Sequence, residues 1–284
     1  MKKVIKYIHI PLTILLLAKF GYGGVLSVQG KVIDKNQKAV QYASIGIINK
    51  NIGTVSDNNG EFILILDNEQ LSESDTLRIS MIGYESKSFS LSEIINPQNL
   101  IIQLNLKIEA IPEVIITRKK VKRKVKGSTH FPVPLYVLLT DSTKPDQNLG
   151  SAIARSFNIN HTNTVIEKLR FYLYTDFDTT TIRVNIYNVK KRKPHKSILE
   201  KGIYTRIIGK KHDWISINLR QSNIIVSDDV IIAIEWIGKS NNGNYLFFPL
   251  ARPSLASHFY KQGCQNNWDR YPGMSCLMEI ELKY

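Results

Sequence analysis

Glu235 has the clearest chemical potential in the chain, standing between Ile234 and Trp236 in the run Val230-Ile-Ile-Ala-Ile-Glu-Trp236. A carboxyl buried alone among such neighbours has a raised pKa and can serve as a general acid. A partner arginine, or a place at a strand edge, would instead leave it ionised and structural. No second carboxylate stands at a spacing that completes an acid–base pair. Zinc-peptidase chemistry fails on ligands: none of His9, His130, His161, His195, His212 or His258 is followed three residues later by glutamate, and His-Glu-x-x-His does not occur. Asp57, Asn59 and Glu61 suggest a calcium loop, but Gly60 follows Asp57 more closely than EF-hand geometry allows. By chemistry, Asp57-Asn-Asn-Gly60 is a hairpin turn. Nucleophile elbow, phosphate loop and dinucleotide fingerprint are all missing from the sequence.

Binding residues are easier to nominate. Tyr260, Trp268 and Tyr271 cluster around Cys264 and Cys276, the only two cysteines. Exposed rings on a sandwich-end loop suit sugar stacking or a protein hot spot, whereas loop packing is the plainer explanation. In an exported chain the cysteine pair suits a Cys264–Cys276 disulfide, contributing up to roughly 3 kcal/mol by chain-entropy arguments, with a pair of free thiols as the alternative. The formal net charge is +14. Much of it sits in Arg118-Lys-Lys-Val-Lys-Arg-Lys-Val-Lys126, which carries seven cations and no acid. Like charges repel such a run into an extended, solvated linker, in which Arg118, Lys119 and Lys120 are placed to touch phosphate-bearing envelope lipid. Lys190-Lys-Arg-Lys-Pro-His-Lys196 reads as an exposed loop.

The elements that must position these residues are strands. Ala43/Ile45/Ile47, Leu77/Ile79/Met81 and Ile102/Leu104/Leu106 alternate with other residues at period two. Phe62, Leu64 and Leu66 alternate as well, but Ile63 and Ile65 between them predict a strand covered on both faces. From residue 148 onward Leu169/Phe171/Leu173, Ile182/Val184/Ile186, Trp214–Leu219, Tyr245–Leu250 and Cys276–Leu282 continue the pattern. Val230–Trp236 is apolar at nearly every position and predicts a central strand covered on both sides. No persuasive helix of ten or more residues occurs in this half. The fold expected is all-β: a sandwich over residues 24–107, a short strand and basic linker over 108–147, and a jelly-roll-like antiparallel sandwich over 148–284.

Several spaced motifs of the first half point further. Gly30-Lys-Val-Ile-Asp34, Ala43-Ser-Ile45, Ile52-Gly-Thr-Val-Ser-Asp57, Gly60-Glu-Phe62 and Ile82-Gly-Tyr84 together resemble the carboxypeptidase regulatory-like domain. The resemblance implies a prealbumin-like β-sandwich, often found at the start of TonB-dependent outer-membrane receptors, with no catalytic residues to carry over. Pro112-Glu-Val-Ile-Ile-Thr117 resembles the short strand that follows the domain in those receptors.

Met1-Lys-Lys-Val-Ile-Lys6, the apolar stretch Ile8–Ala18 and the small residues Gly21, Gly23 and Gly24 read as a secretory signal peptide over residues 1–23. The apolar run is short for a span of about 30 Å. The expected protein is therefore a non-enzymatic, exported binding or interaction module of a Gram-negative envelope, in the periplasm or associated with the outer membrane. Its expected partners are an envelope protein or glycan and anionic lipid, not nucleic acid, and no cofactor is called for. Two alternatives stand beside it: an exported hydrolase using Glu235, and a small outer-membrane barrel. The barrel is disfavoured by short strands and by Glu235 within the most apolar one.

Overall fold

The computed structural model describes residues 26–66, 71–94, 99–107, 121–129, 135–140 and 148–284. The signal-peptide reading over residues 1–23, the receptor-like strand Pro112–Thr117 and the candidates Arg118, Lys119 and Lys120 all lie outside the described residues.

The described chain folds as two β-sandwiches. The first uses β1 (Leu26–Asp34), β2 (Ser44–Ile47), β3 (Gly53–Val55), β4 (Glu61–Leu66), β5 (Thr76–Ser80), β6 (Lys87–Ser90) and β7 (Leu100–Leu104). They form a three-stranded sheet, β4-β1-β7, and a four-stranded sheet, β3-β2-β5-β6. Every pairing is antiparallel except that of β1 with β7, which is parallel. The period-two residues of the sequence meet between these sheets: Val28, Val32, Ile45, Ile47, Phe62, Leu64, Leu77, Ile79, Ile102 and Leu104 are buried together. The Asp57 turn forms as its chemistry requires. One Asp57 carboxylate oxygen accepts from the backbone N–H of both Asn59 and Glu61 at 2.8 Å. Gly60 sits at φ +77°, where a Cβ would run into the Val32 carbonyl. The expectation of two covered faces on β4 fails, since Ile63 is 59% exposed. It lies on the outward face of a sheet that has a sandwich partner on one side only.

The second sandwich runs from β8 (Arg123–Ser128) and β9 (Leu135–Leu138) through β10 (Ala152–Phe157), β11 (Thr164–Thr175), β12 (Thr179–Lys190), β13 (Lys193–Ser197), β14 (Ile203–Ile208) and β15 (Lys211–Asn218). It continues with β16 (Ile225–Val226), β17 (Val230–Lys239), β18 (Leu246–Ala251), β19 (Ser257–Lys261), β20 (Asp269–Pro272), β21 (Ser275–Cys276) and β22 (Met278–Lys283). A seven-stranded sheet ordered β13-β12-β17-β10-β19-β20, with β14 also on β12, faces an eight-stranded sheet built around β18-β11-β22-β8. Ile153, Leu169, Phe171, Ile182, Val184, Ile232, Ile234, Trp236, Phe248 and Ile280 fill the space between them.

Part of the expected basic linker is not a linker. Arg123–Ser128 is an edge strand, paired residue by residue with β22. Its charges are used locally: Arg123 donates to Glu167 at 2.9 Å, and the Lys126 ammonium reaches the Asn158 carbonyl and the Asn160 side chain. An edge strand rich in lysine satisfies the backbone of β22 while discouraging a further strand from adding.

The predicted disulfide is absent: Cys264 and Cys276 are both free thiols and both buried. The spacing that suggested a bond hides a divergence of direction. Cys276 joins the core between the two large sheets, whereas Cys264 turns outward onto the first sandwich, where its thiol donates to the Ile45 carbonyl at 2.9 Å.

Candidate functional site

Alternation along β17 sends Ile232, Ile234 and Trp236 into the core and Ile231, Ala233 and Glu235 to the opposite face. That outer face is covered too, which explains the almost unbroken apolar run. Trp268, Phe259 and Tyr187 pack over Ile231 and Ala233, and the first sandwich lies against the rest. One cross-strand row defines the contact. Arg183 on β12 stands opposite Glu235 on β17, Glu235 opposite Ala152 on β10, and Ala152 opposite Lys261 on β19. The row thus reads cation, anion, methyl, cation.

Arg183 and Glu235 form a bidentate pair at 3.0 and 2.8 Å. Asn185 donates to the same carboxylate at 2.7 Å. Arg183 also crosses to the first sandwich, donating to the Tyr42 carbonyl at 2.7 Å and to the Ser44 hydroxyl at 2.6 Å. Tyr42, whose carbonyl accepts from Arg183, holds a left-handed backbone at φ +60°. Burial alone would raise the Glu235 carboxyl. The Arg183 and Lys261 charges, with hydrogen bonds from Arg183 and Asn185, outweigh it and hold the group below the usual carboxylate range. Glu235 is therefore a locked anion, with none of the raised affinity for a proton that a general acid needs.

A second contact comes from the loop between β19 and β20. Cys264 enters a slot walled by glycines, where a Cβ on Gly53 would stand 2.8 Å from its sulfur and one on Gly46 would stand 3.2 Å away. Gln265 follows, donating to Ser80 Oγ at 2.8 Å and, more weakly, to the Ser44 carbonyl at 3.3 Å. Lys261 Nζ donates to the Cys264 carbonyl at 2.9 Å and lies 5.3 Å from the Trp268 ring centre.

Between these two contacts and the Met81–Ser86 turn a cleft of about 760 Å³ opens. Arg78, Lys107 and Lys196 bring exposed cations to it against one exposed carboxylate, Glu200, while the buried Arg183–Glu235 pair and Lys261 border it from within. The Trp268 ring is set in its wall, edge-on to Tyr187 at 5.9 Å. Hydroxyls and amides of Ser80, Ser86, Asn49, Asn185, Gln265 and Asn267 are among its polar lining groups. Cations set beside an aromatic ring and many neutral hydrogen-bonding groups are the equipment for holding a polar, anionic ligand.

Of the three aromatic candidates, the structure brings only Trp268 to this cleft. Tyr260 packs against the core of the second sandwich. Tyr271 on β20 turns to the buried His258 opposite it, with ring centres 5.9 Å apart. The sequence reading missed Arg183 and Lys261. Period-two alternation marks both as lying on the outer face of their strands, but nothing local says that a second domain covers that face. It also passed over a larger aromatic group of Tyr136, Tyr172, Tyr174, Trp214 and Phe247 on the outer side of the eight-stranded sheet. There Tyr174 and Phe247 stack at 4.5 Å and 11°, so these rings pack on one another instead of opening a slot.

Residues 28–116 match the CarboxypepD_reg-like domain family, so the first sandwich is a domain of that kind. No curated protein matches the chain. Among solved structures, the cysteine protease and lectin-like domains of Cwp84, a surface layer associated protein of Clostridium difficile, align at 11% identity and a TM-score of 0.42, over 92% of this chain and 59% of that one. The infectious bursal disease virus Gx strain structure aligns at 7% identity and a TM-score of 0.29, over 90% and 62%. BcpA, the major pilin subunit of Bacillus cereus, aligns at 11% identity and a TM-score of 0.20, over 90% and 69%. The chain thus spans about six tenths of the length of the first two. At such TM-scores no property passes from these structures to this chain.

Proposed function

We propose that this CarboxypepD_reg-like domain protein is an exported, non-catalytic binding protein of the cell envelope whose interdomain cleft takes an acidic glycan. The observation that carries the reading is the cleft wall, in which Trp268 is held between Lys261 and Tyr187 while cationic side chains outnumber carboxylates. A ring offers a flat apolar face to a sugar, the cations answer its acid groups, and the amides and hydroxyls answer its alcohols. The locked state of Glu235 argues against the hydrolase alternative.

The test is a fluorescence titration of the full chain with oligogalacturonates and, separately, with neutral cello-oligosaccharides. The acidic series is expected to bind and the neutral series to bind at least tenfold more weakly. Trp268→Ala should lower acidic affinity by roughly 30-fold, the range of an aromatic hot spot. Because Trp268 also packs on the sheet, Arg78→Gln on the exposed opposite wall serves as a second variant, expected to weaken binding several-fold without changing the melting temperature. Equal affinity for both series, or binding indifferent to both substitutions, would sink the proposal.

A further inference from the structure

The β12–β13 hairpin continues past the cleft and ends in a turn whose chemistry runs against its shape. Lys190 pairs with Lys193, leaving Lys191 and Arg192 as the two-residue loop. Both loop residues have positive φ, 51° and 60°. Two-residue loops of that kind favour Asn-Gly strongly, because the left-handed region is costly for a long side chain. Elsewhere in the described chain asparagine takes several such positions, at Asn49, Asn163 and Asn223. The Lys190–Lys193 pair adds a second local cost, since like charges directly opposite each other on neighbouring strands repel.

The tip nevertheless concentrates five exposed cations, namely Lys190, Lys191, Arg192, Lys193 and Lys196. No acidic residue occurs from Asn188 to Leu199. None of the five makes an ion pair among the described residues. A turn that bears both strain and self-repulsion is relieved when its charge meets an opposite charge outside the molecule. The tip residues Lys190–Lys193 carry no ring to stack a base or a sugar, the one aromatic ring of the Lys190–Lys196 segment, His195, lines the cleft, and the flanking Val189 and Ile198 are each 38% exposed. Point charges at an exposed hairpin tip, flanked by part-exposed aliphatic groups, fit an extended anionic surface better than a ligand whose shape must be read.

We infer that the Lys190–Lys196 hairpin docks on the phosphate headgroups of an anionic lipid surface, so that the adjoining cleft opens close to the membrane. His195 and Lys196 belong to both features, lining the cleft as well as the hairpin. The contact does not depend on what the cleft binds.

The test is co-sedimentation of the full chain with phosphatidylcholine vesicles containing or lacking phosphatidylglycerol. Binding is expected only with phosphatidylglycerol, and it should weaken steeply with added salt. The variant Lys191→Asn/Arg192→Gly removes two charges and installs the residues the turn prefers. It should partition roughly 30-fold more weakly, at about fivefold per cation, while melting at the same temperature as the parent or higher. Lys190→Gln/Lys193→Gln repeats the charge loss with the native loop and should weaken partitioning to a similar degree. The basic run Arg118–Lys126 is common to all these proteins and cancels in the ratios. Equal binding to neutral vesicles, or undiminished binding by both variants, would overturn the proposal. So would specific binding of inorganic phosphate by a protein that leaves the vesicles alone, because the source of phosphate would then not be a lipid surface.

Discussion

Glu235→Leu is expected to lower the unfolding free energy by about 3–5 kcal/mol, because it strands the buried Arg183 guanidinium without its counter-ion. Domain stabilities of about 5–15 kcal/mol make this a large fraction of the total. Arg183 is 3% exposed, so water cannot take the place of the missing carboxylate. The double variant Arg183→Met/Glu235→Leu separates two roles of the pair. Replacing both charges with apolar groups of similar size is often close to neutral for the sandwich that contains them, so the double variant should be more stable than the single one. It would still lack the Arg183 hydrogen bonds to Tyr42 and Ser44, and the sandwiches should come apart more readily. Urea denaturation of the three proteins checks the order. A loss below 1 kcal/mol for the single variant would mean that the pair does not sit in the dry setting described.

Gly53→Val is expected to expel the Cys264 loop from its slot. A side chain there must share space with the Cys264 sulfur, which lies 2.8 Å from the Cβ position, and with the Ile45 carbonyl at 3.2 Å. Overpacking of this kind costs about 1–3 kcal/mol, but the more telling effect is chemical. Burial pushes the thiols of Cys264 and Cys276 up to about 12, leaving on the order of one thiolate in ten thousand at mildly alkaline pH. Both should therefore resist iodoacetamide in the native parent. In the variant Cys264 should label, and Cys276, in the core of the second sandwich, should remain protected. Peptide mapping of the label gives the answer. Equal labelling of parent and variant would show that the glycine slot does not hold the loop.

What the sequence reveals and what it hides divides along contact range. The Asp57–Gly60 turn is legible because its carboxylate and its glycine act within four residues. The double burial of Val230–Trp236 is legible because both faces leave their mark on one short string. The Arg183–Glu235 pair is not, since its partners lie on neighbouring strands separated by 52 positions, and only the register brings them together. The cysteines mislead for a related reason. Their separation permits a bond, but the backbone between them passes through β20 and sends one thiol outward and the other inward. The run through Lys126 misleads because charge density suggests solvation, while edge strands welcome lysine for its repulsion of further strands. Trp268 reads in the sequence only as a loop aromatic, and what places it in a cleft is the first sandwich, assembled from residues far earlier in the chain.

The most direct measurement is hydrogen exchange by mass spectrometry on the full chain, with and without saturating oligogalacturonate. The two walls of the cleft come from separate domains, so a ligand bound there should slow exchange in both the Arg78–Ser86 and Lys261–Trp268 segments. Protection confined to one wall, or falling on the outer face of the eight-stranded sheet, would contradict a binding site built between the sandwiches.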